Sequence, residues 1–163
     1  MNIFKKKIKF FITLFIIIIF SSSLSLTYAA MSSNDGNNQE NLYKSGKKLE
    51  KKNKIEKAEK LYSKAYDKFE KAYAKDKKNA DILNYLGFTT RKLGDFEKGE
   101  KYYLEGLAIE PDHMGINEYL GELYVATNRI DLAKERLEIL KTCNCEEYQE
   151  LRQVIDGTKK SKY

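Results

Sequence analysis

From Leu42 onward, apolar residues return every three or four positions, the spacing that lays them along one face of an α-helix. Ala58, Tyr62, Ala65, Phe69 and Ala72 mark one such face, and Ile82, Leu83, Tyr85, Leu86 and Phe88 mark the next. Phe96, Tyr103, Leu107 and Ile109 are predicted to form the buried side of a third helix. Asn79 or Asp81 opens the second of these helices, and Leu93-Gly94 closes it, glycine accepting the left-handed conformation of a helix end. Asp95 caps the helix that follows, and Pro111, lacking a backbone N–H, stops it. After Leu140 a final stripe of Tyr148, Leu151, Val154 and Ile155 is led by acids and ended by Gly157. The pattern predicts an all-α chain of short helix pairs.

Small and large residues alternate within it. Gly87, Gly99 and Gly106 lie where side chains would block close helix contact, with Leu83, Leu86, Phe96 and Tyr103 as bulk between them. A glycine inside a helix costs about 1 kcal/mol relative to alanine, so three in one unit need a packing reason. Displaced by 34 residues the order recurs: Leu86-Gly87 becomes Leu120-Gly121, Gly99 becomes Ala133, Tyr103 becomes Leu137, and Gly94 becomes Asn128. Gly87 and Gly121 are therefore expected in equivalent surroundings.

This period and residue order resemble the tetratricopeptide repeat (TPR), whose 34-residue unit is a helix–turn–helix. Leu83, Thr90 and Cys145 depart from the residues common in that family. The resemblance implies a right-handed superhelical solenoid of about three units, near 42–78, 80–113 and 114–145, with a capping helix over 146–157 and a flexible tail over 158–163. In the first unit Ala65, Phe69 and Ala72 lie 34 residues before Gly99, Tyr103 and Gly106. Its opening helix fits better with seven residues inserted, which sets Leu42, Gly46 and Leu49 opposite Leu83, Gly87 and Thr90.

Residues 1–30 read as an export signal of a bacterial protein. Lys5, Lys6, Lys7 and Lys9 precede an apolar run of 11 residues from Phe10 to Phe20, and the segment ends in small residues at Ala29-Ala30. The run is well short of the roughly 20 residues that span a bilayer, so cleavage and release into the periplasm are expected. An uncleaved anchor in the inner membrane is the alternative. Residues 31–41 are polar and predict a disordered linker. With the four signal lysines removed, the net charge falls from +6 to +2, unevenly spread as +6 over 31–79 and −4 over 80–163. The lysine-rich first unit could meet an anionic membrane or an acidic protein. Nucleic acid is not indicated, because the interleaved aromatics follow the helix period and should be buried.

The sequence offers little to an enzyme. His113, the single histidine, sits in a turn with no nucleophile beside it, and no zinc-protease, phosphate-loop or dinucleotide motif is present. No cofactor is implied. Cys143 and Cys145 admit three readings: a structural bridge, two free thiols or a bridge to another chain, and a redox or soft-metal site. The TPR resemblance implies binding of a protein or peptide on the concave surface. The positions it implies are Asp81, Asn84, Tyr85, Phe88, Arg91 and Lys92 in the second unit. Glu118, Tyr119, Glu122, Val125 and Ala126 follow in the third. Asn84, Arg91 and Lys92 together would suit a peptide carboxylate. The family's two-carboxylate clamp has no match here. The sequence thus reads as an exported, non-enzymatic scaffold expected in cell-envelope assembly, with a redox- or metal-responsive protein using Cys143 and Cys145 and a membrane-tethered scaffold as alternatives.

Overall fold

A computed structural model describes residues 38–161. The signal-like segment and the polar stretch to residue 37 lie outside them, as do residues 162–163. Seven helices make up the described chain, with no strand among those residues. Helix α1 is helical over 38–51. It is followed by α2 (Ile55–Lys75), α3 (Ala80–Lys92), α4 (Phe96–Ile109), α5 (Met114–Ala126), α6 (Ile130–Leu140) and α7 (Glu146–Ile155). Residues 38–41, expected in the linker, are helical; Gln39 and Glu40 are good helix formers even without an apolar face.

Local chemistry sets the helix ends. Asn79 and Asp95 accept the amides of Ile82 and Lys98 at 3.0 Å, capping α3 and α4. His113 does the same for α5, its Nδ1 accepting from the Ile116 amide at 3.2 Å. Asn53, Gly94 and Asn128, with φ of 55°, 93° and 59°, turn the chain within each pair. These turns are spaced by 41 and then 34 residues, which fixes the register of the first unit. The whole of α1 and the start of α2 are displaced by 41. The counterparts of Gly99, Tyr103 and Gly106 in that unit are therefore Ala58, Tyr62 and Ala65, not Ala65, Phe69 and Ala72. Seven residues make two helical turns and preserve the face, so periodicity could not separate the two registers. The additional turns lie at the C-terminal end of α2, which has 21 residues against 14 in α4. There Phe69 stacks on Tyr85, with ring centroids 4.6 Å apart.

Helices α3/α4 and α5/α6 pack as hairpins, and successive hairpins stack, α2 on α3, α4 on α5 and α6 on α7. Helices α3 and α5 are enclosed nearly all round, with every residue from Ile116 to Tyr124 buried. The buried side of α4 is narrower than its apolar residues suggested. Gly99, Tyr103 and Gly106 form it, while Phe96 and Ile109, at the two ends of the helix, stay largely exposed.

The glycines show how close the helices come. A Cβ on Gly87 would lie 2.6 Å from Cδ1 of Tyr103, and one on Gly46 would lie 2.5 Å from Cε1 of Tyr62. Gly121 departs from the expected equivalence. Its Cβ would meet Leu151 Cδ2 of α7 at 2.5 Å, not a residue of its own hairpin partner. Leu137 takes the place of Tyr103 in this unit, and a leucine lacks the ring that covers the glycine in the earlier pairs.

Candidate peptide-binding groove

The first helices of the units, α1, α3 and α5, together with α7 and the segment after it, enclose a groove of about 500 Å3. Phe88 and Tyr119 form its floor. Tyr43 joins them: its ring lies 4.8 Å from Phe88, and its hydroxyl and that of Tyr119 are 2.9 Å apart. Burial raises both phenols well above the usual tyrosine range. Lys47 Nζ donates to the Tyr119 hydroxyl at 3.1 Å and lies 5.3 to 5.7 Å from the centroids of all three rings, an ammonium held on an aromatic floor.

The walls carry opposite charge. Helix α1 supplies Lys47 and Lys51, with Glu50 engaged by Lys92 and by the Tyr62 hydroxyl. Burial holds Lys92 below the ordinary lysine value, against the pull of Glu50. Facing them are Glu118 of α5 and Glu146, Glu147 and Glu150 of α7. Lys159 pairs with Glu150 from the segment beyond α7.

Of the positions implied by the sequence, Phe88, Glu118 and Tyr119 line this groove. Tyr85 is half-buried between Tyr43 and Phe69. Asn84 is buried, and Asp81 sits outside beside His113, whose Nε2 is 3.2 Å from its carboxylate. Val125 is half-buried and Ala126 exposed. Arg91 and Glu122 are enclosed, both side chains at 0% exposure, and form an ion pair at 3.5 Å. Arg91 Nη1 also donates to the Tyr119 carbonyl at 2.9 Å. This corrects the expected carboxylate site: Arg91 ties α3 to α5, and Lys92 is engaged by Glu50, so the trio with Asn84 is not presented together.

Sequence reading missed Lys47, Lys51, Glu147 and Glu150. The signal for α1 was available, since the 41-residue displacement carries Phe88 onto Lys47 and Lys92 onto Lys51. The α7 residues had none, because a cap shares no repeat register. Glu118, Glu122 and Glu150 bring carboxylate oxygens within 4.8 Å of one another, but Arg91 and Lys159 already supply cations to that cluster. Cys143 and Cys145 are joined as a disulfide in the turn between α6 and α7.

Stacked helix hairpins, small residues at each crossing and a concave face lined by the first helix of each pair define an all-α solenoid of the TPR type. The translocator chaperone SycD of Yersinia enterocolitica shares this fold, with a TM-score of 0.52 at 16% identity, covering 76% of this chain and 81% of that one. By sequence, 94 residues are 29% identical to the human protein O-mannosyl-transferase TMTC3, covering 58% of this chain and 10% of that protein. Over 54 residues the chain is 39% identical to the Sol locus transcriptional repressor of Clostridium acetobutylicum, covering 33% of this chain and 17% of that protein. The chain thus spans under a fifth of the length of either relative. A family model described as FixH matches residues 2–82, a little under half of the chain.

Proposed function

We propose that this protein is a non-catalytic scaffold that holds a protein or peptide segment in the groove between α1, α5 and α7. The observation that carries this reading is the groove itself: an aromatic floor of Phe88 and Tyr119 between a lysine-bearing wall and a glutamate-bearing wall. The walls fix the register of an extended segment by charge, above rings that Lys47 already covers. Holding, not catalysis, is supported by the use of the single histidine as a helix cap. Export to the periplasm and a place in envelope assembly complete the reading, supported by the charged start and the 11-residue apolar run.

Photo-crosslinking from the native envelope tests it. A photoreactive side chain at Lys51 or Glu147 should capture a partner that one at Lys101 or Lys134, on the outer helices, does not. Equal capture from both faces would refute the groove. N-terminal sequencing of the purified protein tests export, with a start at Ala30 or Met31 expected and an intact Met1 counting for a tethered form.

A further inference from the structure

Resting on the groove reading above, we propose that the site takes a lysine-bearing extended segment, and that Lys159 of the chain's own tail holds that segment's place in the free protein. Three carboxylates within 4.8 Å of one another create a strongly negative spot that a cation relieves. Arg91 and Lys159 bring cations to it in different ways. Arg91 reaches Glu122 from within the fold, its side chain at 0% exposure. Lys159 reaches Glu150 from the open side, its side chain at 36% exposure. The first is a fixed part of the core; the second is a replaceable occupant.

The tail is delivered there by local structure. Gly157, with φ of 78°, reverses the chain after α7, and the Lys159 amide donates to the Gln153 carbonyl at 2.9 Å. Ser161 then lines the groove. Around the groove five carboxylates face three ammonium groups, and one of those three is Lys159, so displacing the tail leaves the site more acidic still. The aromatic floor adds no second anchor: Phe88 and Tyr119 are buried and Lys47 already rests on their rings, so the carboxylates of the wall make the match. The chemistry selects a lysine-rich segment over one ending in carboxylates.

The test is fluorescence anisotropy on the purified exported protein with two labelled probes, an alternating Lys-Ser octapeptide and its Glu-Ser counterpart. The lysine probe should bind, weaken as salt rises and weaken in Glu146→Gln/Glu147→Gln, while the glutamate probe should not bind. Lys159→Ala, at the rim and outside the core, should tighten lysine-probe binding by about tenfold if the tail covers nine molecules in ten. Unchanged affinity in Lys159→Ala overturns the tail's role, and equal or tighter binding of the glutamate probe overturns the ligand class. Capture of a partner at Lys51 and Glu147 with no preference between probes would sink this inference and leave the scaffold standing. Capture from both faces would remove the scaffold as well.

Discussion

The crossings at Gly46 and Gly87 differ from the crossing at Gly121. In the first two hairpins a bare backbone is pressed against the edge of a tyrosine ring from its own partner helix. In the third, a leucine from the terminal helix fills the same gap. Tyr62 and Tyr103 are planar and turn about two bonds only, and both are buried. Leu151 is branched, and it sits on a helix packed against α5 and α6 with no hairpin of its own. The repeat therefore preserves a gap, not the residue that fills it. Tyrosine closes each hairpin upon itself in the front of the solenoid, and leucine closes the last hairpin with the cap.

The largest effect should come from cutting the tie between these regions. Arg91 of α3 and Glu122 of α5 are wholly enclosed. Glu122→Ala removes the carboxylate paired with a wholly enclosed guanidinium and should cost about 3–5 kcal/mol in urea denaturation. Replacing Arg91 with Met and Glu122 with Leu together should cost much less, because no charge is then stranded. If the single and double variants lose the same stability, the tie between front and back lies elsewhere.

The glycine crossings come next. Gly87→Ala should destabilise by about 1–3 kcal/mol, since the Tyr103 ring cannot swing aside in a packed core. The gain of up to about 1 kcal/mol in helix propensity offsets only part of that. Gly121→Ala should cost less, because the Leu151 side chain can rotate and α7 can shift, and its loss should show as faster amide exchange in α7. Tyr103→Leu imports the third unit's residue into the second, leaving a gap that Gly87→Ala partly refills. The double variant should then be more stable than the sum of the two single losses predicts. Strict additivity would mean the ring and the glycine are not the coupled pair.

Much of this was legible in the sequence, and the limits have physical causes. Helix bounds followed from Asn79, Gly94, Asp95 and Pro111, because caps and breakers act locally. The register of α2 did not follow, since a displacement of seven residues returns the same face to the same side. The crossing at Gly121 did not follow from the 34-residue spacing, because Leu137 lacks the ring of Tyr103 and a different helix fills the gap. Within the groove, Phe88, Glu118 and Tyr119 were reachable through the repeat. The α7 wall was not, because only the folded chain places it opposite α1.

The smallest effect is a pH dependence carried by the tyrosine-rich front and absent from the Leu151 crossing. Tyrosines at the front are held protonated: Tyr62 and Tyr103 are raised well above the usual range chiefly by burial. Tyr73 is pushed up to about 12, first by its hydrogen bond to Glu105. An unfolded tyrosine releases its proton near pH 10. Between about pH 10 and 12 the unfolded chain has therefore lost a proton that folded Tyr73 retains, so stability falls as pH rises. Below pH 10 the contribution is fully present. Because Tyr73 is only half-buried, its share is small, and Tyr73→Phe isolates it: the stability gap between wild type and variant should close as pH rises through that window. Phenolate absorbance should show Tyr73 ionising before Tyr62 and Tyr103, which wait for unfolding. The Leu151 crossing has no such group at its contact, so Gly121→Ala should lose the same stability at pH 8 as at pH 11 relative to wild type. A constant gap for Tyr73→Phe would show that the Glu105 hydrogen bond does not govern its proton, and that alkaline weakening of the front must come from the buried rings alone.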